Sequence, residues 1–247
     1  MFSLQNKGNR PIQTVTLSLH RFASPQARLW AFGQMGAARL SFRAMPEVGF
    51  WKLCGSGVGE GFTPIPNTSV WAILATWPDE TTARAMVDEA PVYRRWRDHA
   101  AEVWTVFLTA SSARGRWSGV EPFDVTGPPG DGPLAVLTRA TLRPRIAPRF
   151  WGHSPDVSRM IGADPDVIFK IGIGEVPWLQ QVTFSIWPDV TSMARFAHRD
   201  GAHLRAVRAV REGGWFREEL YARFRILGDT GTWEGRPPLA QLERQAA

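Results

Sequence analysis

The spacing of apolar residues changes from one pattern to another near the start of the chain. Residues Gln13–His20 alternate apolar and polar side chains, as expected of a strand with one buried face. Residues Pro25–Phe42 have helical periodicity instead. The apolar positions at that spacing are Leu29, Phe32, Met35 and Leu40. The pattern therefore predicts a strand followed by a long helix.

The rest of the first half continues this alternation of strands and helices. Val48–Cys54 and Val70–Trp77 are rich in aromatic and β-branched residues, which is typical of strands. Asp79 can cap a helix over Glu80–Glu89, and Val103–Leu108 forms a last strand. The order strand, helix, strand, strand, helix, strand predicts a ferredoxin-like unit.

The second half repeats the same order. The predicted strands are Leu134–Leu142, Val167–Ile173, Gln181–Trp187 and Leu220–Leu227. The predicted helices are Pro148–Ile161 and Val190–Val210. Two such units can pack their sheets face to face with the helices outside. We therefore expect an α+β fold in which two ferredoxin-like βαββαβ repeats form a body like a dimeric α+β barrel.

Three short matches in the same order support an internal duplication. Arg28–Trp30 matches Arg149–Trp151, Trp51–Leu53 matches Phe169–Ile171, and Trp77–Asp79 recurs as Trp187–Asp189. The second match places Lys52 opposite Lys170, two of the three lysines in the chain. The predicted divisions are a flexible N-terminus (1–12), a first repeat (13–123), a linker (124–133), a second repeat (134–228) and a loose C-terminal tail (229–247).

Composition leaves two interpretations of the aromatic content open. Hydrophobic residues make up 44% of the chain and charged residues 21%, as in ordinary globular proteins. Tryptophan is unusual, with 12 copies against 2 tyrosines. These rings build either an aromatic-rich core or a wide apolar pocket for a flat or long ligand.

Charge and cysteine content exclude several classes of protein. The net charge of +6 is scattered, and the basic–Gly–aromatic pattern of RNA-binding sheets is absent, so we expect no nucleic-acid partner. The glycine-rich stretch 55–61 is not followed by a helical pattern, which argues against phosphate binding and favours a flexible loop over a pocket. One cysteine, no secretory signal and no run of 18 apolar residues predict a cytoplasmic protein.

Several longer motifs resemble the spheroidene monooxygenase family of purple photosynthetic bacteria. The resemblance extends from Gln13 to Leu227. The motifs that carry it are QTVTLS (13–18), FWK (50–52), GEGFTP (59–64), VWAILA (70–75), WPDE (77–80), PVYRRWR (91–97), FKIG (169–172), QVTFSIWPD (181–189) and EELYARF (218–224).

The resemblance implies a haem-containing monooxygenase. Such an enzyme would insert a keto group at C-2 of acyclic carotenoids, spheroidene to spheroidenone, with O₂ and electrons from a ferredoxin-type donor. Its membrane-dissolved substrate implies a peripheral position at the bilayer surface, and a homo-oligomer stays open. Two alternatives also stay open: a haem peroxidase or dehydratase on the same barrel, and a non-catalytic binder of apolar ligands.

The implied haem iron needs an axial ligand, for which His203 is the first candidate. His203 follows Trp187 at the same spacing as Tyr93 follows Trp77, and it shares a helical face with Val207 and Val210. His198 is the second candidate. Cys54 is a rival thiolate ligand, because Lys52 lies on the same face of its strand. No supporting argument favours the other histidines, which are His20, His99 and His153.

Overall fold

Eight antiparallel strands form the framework of the molecule. The computed structural model describes residues 11–59, 63–128, 130–152, 166–198, 213–240 and 242. The strands are β1 (Thr14–Arg21), β2 (Trp51–Gly57), β3 (Pro66–Trp77), β4 (Glu102–Gly115), β5 (Leu134–Leu142), β6 (Phe169–Gly174), β7 (Gln180–Trp187) and β8 (Phe216–Gly231). The helices include α1 (Pro25–Arg43), α2 (Glu80–Glu89), α3 (Pro91–His99) and α4 (Val190–His198). A short 3₁₀ turn, Pro144–Ile146, leads into helical residues 147–152.

The strands close into one barrel in the order β1-β3-β2-β6-β7-β5-β8-β4. Each half contributes the strand order of a ferredoxin-like unit, so the predicted fold class is confirmed. The halves join at two seams of unequal length. The β2–β6 seam consists of two residue pairs, whereas the β4–β8 seam runs from Trp104 opposite Gly231 to Gly115 opposite Leu220.

Side chains from both halves fill the barrel interior. Trp104 and Phe169 lie 4.5 Å apart between ring centroids, and Phe123 and Phe224 lie 5.1 Å apart. Aliphatic residues of seven strands, and Cys54 of β2, pack around these rings. These side chains occupy the barrel interior. For the barrel, the interpretation of the tryptophan content as an aromatic core is therefore correct.

The long predicted helix α1 is present, but its buried side is not its most apolar side. Ser24 caps the helix by accepting a hydrogen bond from the backbone N–H of Ala27 at 3.1 Å. The residues that α1 buries are Ala31, Ala38 and Phe42. Leu29, Phe32 and Leu40, which carry the helical periodicity, are exposed. Small alanine side chains let the helix approach the sheet closely, which turns the larger residues outward.

The strand registers correct one of the three sequence matches. Trp77 pairs with Thr14 and Trp187 with Leu134, so the two tryptophans occupy equivalent positions of β3 and β7. Lys52 pairs with Leu74, and its counterpart, which pairs with the equivalent Phe184, is Ile171. The match of Lys52 with Lys170 is therefore wrong by one position. Such a shift turns a strand side chain to the other face, so Lys52 faces the interior and Lys170 faces outward.

Strand and tail boundaries extend beyond those predicted. Strand β4 continues to Gly115 and β8 to Gly231, well past Leu108 and Leu227. Trp233 and Leu239 pack against the barrel core, so the described part of the tail, 229–240, is not loose. The predicted flexible N-terminus lies almost entirely outside the described residues. Within the described ranges, no helix has the length and apolar character that a membrane span requires.

Candidate functional site

The two halves differ most on the outer sheet faces, which point away from the barrel interior. In the first half this face carries large apolar side chains such as Trp71, Ile73 and Leu53, packed beneath the helices. The strand registers identify the equivalent residues of the second half. Trp71 corresponds to Gln181, Ile73 to Thr183, Ala75 to Ser185, Leu53 to Gly172 and His20 to Ala140. The second face has a smaller side chain at four of these five positions and a more polar one at Gln181, Thr183 and Ser185.

The second outer face also contains unpaired polar groups. The Gln181 amide nitrogen is buried and has no hydrogen-bond partner among the described residues. The same holds for the Arg225 Nε atom. Buried polar groups in folded proteins are almost always paired, so such groups are places where a bound molecule could pair. Among the described residues, the first half also leaves buried polar atoms unpaired, among them His20 Nδ1 and Trp96 Nε1, so what distinguishes the second face is its smaller side chains. We therefore take the outer face of β6, β7, β5 and β8 as the candidate functional site.

Two arginines lie along one side of this face. Arg223 pairs with Val136 across β8 and β5, and Arg225 pairs with Leu134. In the first half, the position of Arg223 is taken by Phe107. Guanidinium groups bind carboxylates through paired hydrogen bonds. The candidate site therefore combines small side chains over the sheet with cationic groups at one side.

The favoured ligand His203 lies outside the described residues, but its counterpart in the first half is described. Asp79 accepts a hydrogen bond from the Thr82 backbone N–H at 2.8 Å, and Asp189 accepts one from Ser192 at 2.7 Å. Helices α2 and α4 therefore start at equivalent positions of the two repeats. The counterpart of His203 that the sequence spacing predicts is Tyr93, which is buried on α3.

Tyr93 indicates which way this position faces. Its ring packs 6.2 Å from Trp77 and 5.9 Å from Phe42, measured between ring centroids. Burial raises the pKa of the Tyr93 hydroxyl. In the first half, then, this position points into the space between helix and sheet. His198 is the last residue of α4, and its side chain is outside the described part of the chain.

Cys54 does not fit an axial haem ligand. Its side chain is fully buried in the packed barrel interior. Burial, and after it the negative charge of Glu175, raises the pKa of the Cys54 thiol, so the group stays protonated. Lys52 does lie on the same strand face, but its ammonium group is held by Glu175 at 2.8 Å.

A network of charged residues lies where the two halves meet. No sequence motif predicted it. Lys52 binds one carboxylate oxygen of Glu175, and the Trp117 indole N–H donates to the other at 2.5 Å. Arg139 pairs with Glu218, and its guanidinium carbon lies 5.6 Å from the Trp117 ring centroid. These residues are far apart in sequence, so only the folded barrel brings them together. Lys52 and Arg139 point inward, away from the candidate site.

The remaining described histidines lie in the first half. His20 is buried with its ring edge-on to Trp96 at 5.1 Å, and burial together with Arg97 lowers its pKa to about 3. His99 is exposed and stacks on Trp30 at 3.9 Å. His153 is outside the described residues. Across the described ranges, no three His, Cys, Asp or Glu side chains are grouped so that they could hold a metal ion.

Comparison with known proteins assigns the family. No family model matches the chain. The chain is 54% identical to spheroidene monooxygenase of Cereibacter sphaeroides over 93% of its length and 72% of that protein. It is 51% identical to spheroidene monooxygenase of Rhodobacter capsulatus over 94% of its length and 98% of that protein.

A solved structure shows the same fold at low identity. It is an aldoxime dehydratase in complex with butyraldoxime, 12% identical, with a TM-score of 0.65 over 95% of this chain and 86% of that one. The architecture is therefore shared beyond the close relatives, while the identity is too low to say more than fold. From the sequence matches over most of both chains, we conclude that this chain belongs to the spheroidene monooxygenase family and is a monooxygenase.

Proposed function

We propose that this chain is a haem-dependent carotenoid monooxygenase that inserts a keto group at C-2 of spheroidene, using O₂ and a reduced ferredoxin-type donor. The relatives are named for spheroidene, which supports the acyclic carotenoid substrate. The observation that carries the haem proposal is the divergence of the two outer sheet faces. The second face keeps Trp187 and Leu134 packed with α4, but it has lost the bulky side chains at the positions of Trp71, Ile73 and Leu53.

The residues of the second outer face fit a flat, carboxylate-bearing group such as haem. Gly172, Thr183 and Ala140 replace larger residues, so these side chains project less far from the sheet. The side chain of Gln181 offers an unpaired amide N–H, and Arg223 and Arg225 offer cations for the propionate groups. Haem bound here would supply the activation of O₂.

His203 is the proposed axial ligand. Its counterpart Tyr93 points toward the sheet, which supports an inward orientation at this position of the repeat. An imidazole needs an acceptor on its second ring nitrogen to hold its orientation. Haem ligation by a histidine or a thiolate is usual, and the closed setting of Cys54 argues against the thiolate alternative. His198 remains the second candidate.

Haem retention tests the ligand separately from turnover. We expect purified wild-type protein to show a Soret band, and His203→Ala to lose most of the bound haem while its circular dichroism spectrum is unchanged. The matched control is Tyr93→Phe, the equivalent position in the first half, which should keep the haem. Cys54→Ala should keep it as well. An intact Soret spectrum in His203→Ala would show that another residue holds the iron.

Carotenoid conversion tests the reaction. Cells that make spheroidene and express this protein should accumulate a ketocarotenoid, with the keto group assigned to C-2 by nuclear magnetic resonance. In the purified system, turnover should require O₂ and a reduced ferredoxin. Haem-loaded protein that leaves spheroidene unchanged would reject the oxygenase proposal and favour a peroxidase or dehydratase activity instead.

A further inference from the structure

Among the described residues, the five most exposed large apolar side chains lie on three segments of the chain. On α1, Leu29, Phe32 and Leu40 are 73%, 66% and 69% exposed. On the β2–β3 loop and the β6–β7 turn, Ile65 and Trp178 are 61% and 57% exposed. Large apolar residues this exposed, in neighbouring segments, mark interaction sites more often than isolated ones do. The name "docking surface" is used below for these five residues.

Direct contacts connect the segments of the docking surface. The Phe32 ring lies 6.4 Å from the Trp71 ring, whose indole N–H donates to the Thr68 carbonyl at 2.8 Å. This contact brings α1 next to the start of β3. The Trp178 indole N–H donates to the Pro64 carbonyl at 2.7 Å, which joins the β6–β7 turn to the β2–β3 loop. The first contact places Phe32 beside β3, and the second places Trp178 on the loop that leads into β3.

The charged side chains of α1 are all positive. Helix α1 contains Arg28, Arg39 and Arg43 and no acidic residue. Arg95 of α3 adds a further exposed guanidinium, which donates to the Ser41 hydroxyl of α1 at 3.2 Å. Residues 63–69 and 176–179 carry no charged side chain. Apolar side chains flanked by arginines match the chemistry of an anionic bilayer surface, where tryptophan also prefers to lie.

We propose that the docking surface binds the headgroup region of an anionic lipid bilayer, with Leu29, Phe32, Leu40, Ile65 and Trp178 inserted among the lipids. Because α1 has no acidic residue, its charges complement an anionic bilayer better than a soluble protein whose surface carries charges of both signs. This inference rests on the proposed function, because a carotenoid substrate is dissolved in the bilayer and the enzyme must reach it there. Lipid binding itself is measured without carotenoid or haem.

Vesicle sedimentation tests the proposal on the full chain. Vesicles contain equal parts of phosphatidylcholine and phosphatidylglycerol, and pure phosphatidylcholine serves for comparison. We expect wild-type protein to bind the anionic vesicles and to bind the neutral ones more weakly. The triple variant Leu29→Gln, Phe32→Gln, Leu40→Gln should lose about 100-fold in partitioning, because three exposed apolar side chains no longer enter the lipid. Glutamine keeps high helix propensity, so α1 should stay folded.

A matched control changes three exposed apolar residues outside the docking surface. Ile12→Gln, Val120→Gln, Val125→Gln should bind vesicles within about twofold of wild type. Arg39→Gln, Arg43→Gln should weaken binding to the anionic vesicles and leave binding to the neutral ones unchanged, since each cation near a charged surface adds attraction. Equal losses in the α1 triple variant and in the control would overturn the proposal, as would wild-type protein that ignores both kinds of vesicle.

Two further measurements separate this proposal from its alternatives. Light scattering after size exclusion gives the mass of wild type and of the α1 triple variant. If the variant alone dissociates from a dimer, the surface binds a second copy of this chain and the bilayer proposal is rejected. Turnover of detergent-dissolved carotenoid should be equal in both proteins. Absence of turnover in both, with vesicle binding intact in wild type, would reject the proposed function and leave the docking surface standing.

Discussion

His20 is a titratable side chain held in an apolar setting. Its ring lies beneath α3 against Trp96, and its Nδ1 atom is buried with no hydrogen-bond partner among the described residues. Burial and the nearby Arg97 charge lower its pKa to about 3, so the ring is neutral in the folded protein. In the unfolded chain the same ring titrates near its ordinary value of about 6.5.

The lowered pKa of His20 predicts a pH-dependent loss of stability. Between about pH 6.5 and pH 3 the unfolded state binds one more proton than the folded state at this ring, so stability falls as pH falls. At pH 4.5 the loss from His20 alone should be about 2–3 kcal/mol. Urea unfolding of wild type and His20→Leu over this range should show a shallower pH dependence in the variant. Parallel curves would contradict the assigned pKa.

Among the contacts between elements, the Lys52–Glu175 ion pair connects β2 of the first half to the β6–β7 turn of the second. Both side chains are mostly buried, at 15% and 13% exposed. Trp117 fixes the Glu175 carboxylate from the turn after β4. The short β2–β6 seam, with two residue pairs, therefore has an electrostatic contact beside it.

Removing one partner of this pair should cost more than removing both. Glu175→Gln leaves the Lys52 ammonium buried without its counter-charge, and we expect a loss of about 3 kcal/mol in unfolding free energy. The double variant Lys52→Met, Glu175→Gln should recover more than half of that loss. The control is Arg116→Gln, whose partner Glu121 is 74% exposed and whose loss should stay below about 0.5 kcal/mol. Additive losses in the double variant would argue against coupling.

The elements also show where pattern reasoning reaches its limit. The helical spacing of Leu29, Phe32 and Leu40 correctly predicts α1 but not which side is buried, because Ala31 and Ala38 allow closer contact with the sheet. The match of Lys52 with Lys170 is wrong by one position. Strand faces alternate at every residue, so that small error exchanges an interior side chain for an outward one.

For the whole molecule, closure of the barrel depends on close backbone contacts along the β4–β8 seam. Gly115 has a φ of +102°, and a Cβ atom there would lie 2.2 Å from the Glu219 carbonyl oxygen. Gly231 at the other end has a φ of +83° and a similar approach of 2.1 Å to the Val103 carbonyl oxygen. Both ends of the longer seam thus exclude a side chain.

Substitution at the seam should destabilise the entire barrel. We expect Gly115→Ala to lose at least about 3 kcal/mol, since it combines a left-handed backbone with a backbone clash. Gly119 has a φ of +81° with open space around it, so Gly119→Ala should lose only about 1 kcal/mol. Circular dichroism and tryptophan fluorescence should report the same unfolding midpoint in each variant. Equal losses at Gly115 and Gly119 would show that the seam tolerates a side chain.

The duplication gives the two halves different side chains on the same outer sheet face. In the first half, Trp71, Ile73 and Leu53 pack beneath the helices. In the second half, Gln181, Thr183 and Gly172 occupy the equivalent positions. One repeat therefore packs large side chains at these positions, and the other carries smaller or more polar ones there, which is the basis of the proposed haem site.

Local patterns in the chain were sufficient to identify the duplicated ferredoxin-like units and the family, because periodicity and motifs are properties of short segments. The recurrence of Trp77 as Trp187 also predicts the equivalence of Tyr93 and His203. Only the folded structure showed which face each residue occupies. It also showed that Cys54 is enclosed in the barrel and that Arg139 and Lys52 both lie near Trp117. Those outcomes depend on strand register and on contacts between distant segments, which hydrophobic spacing does not encode.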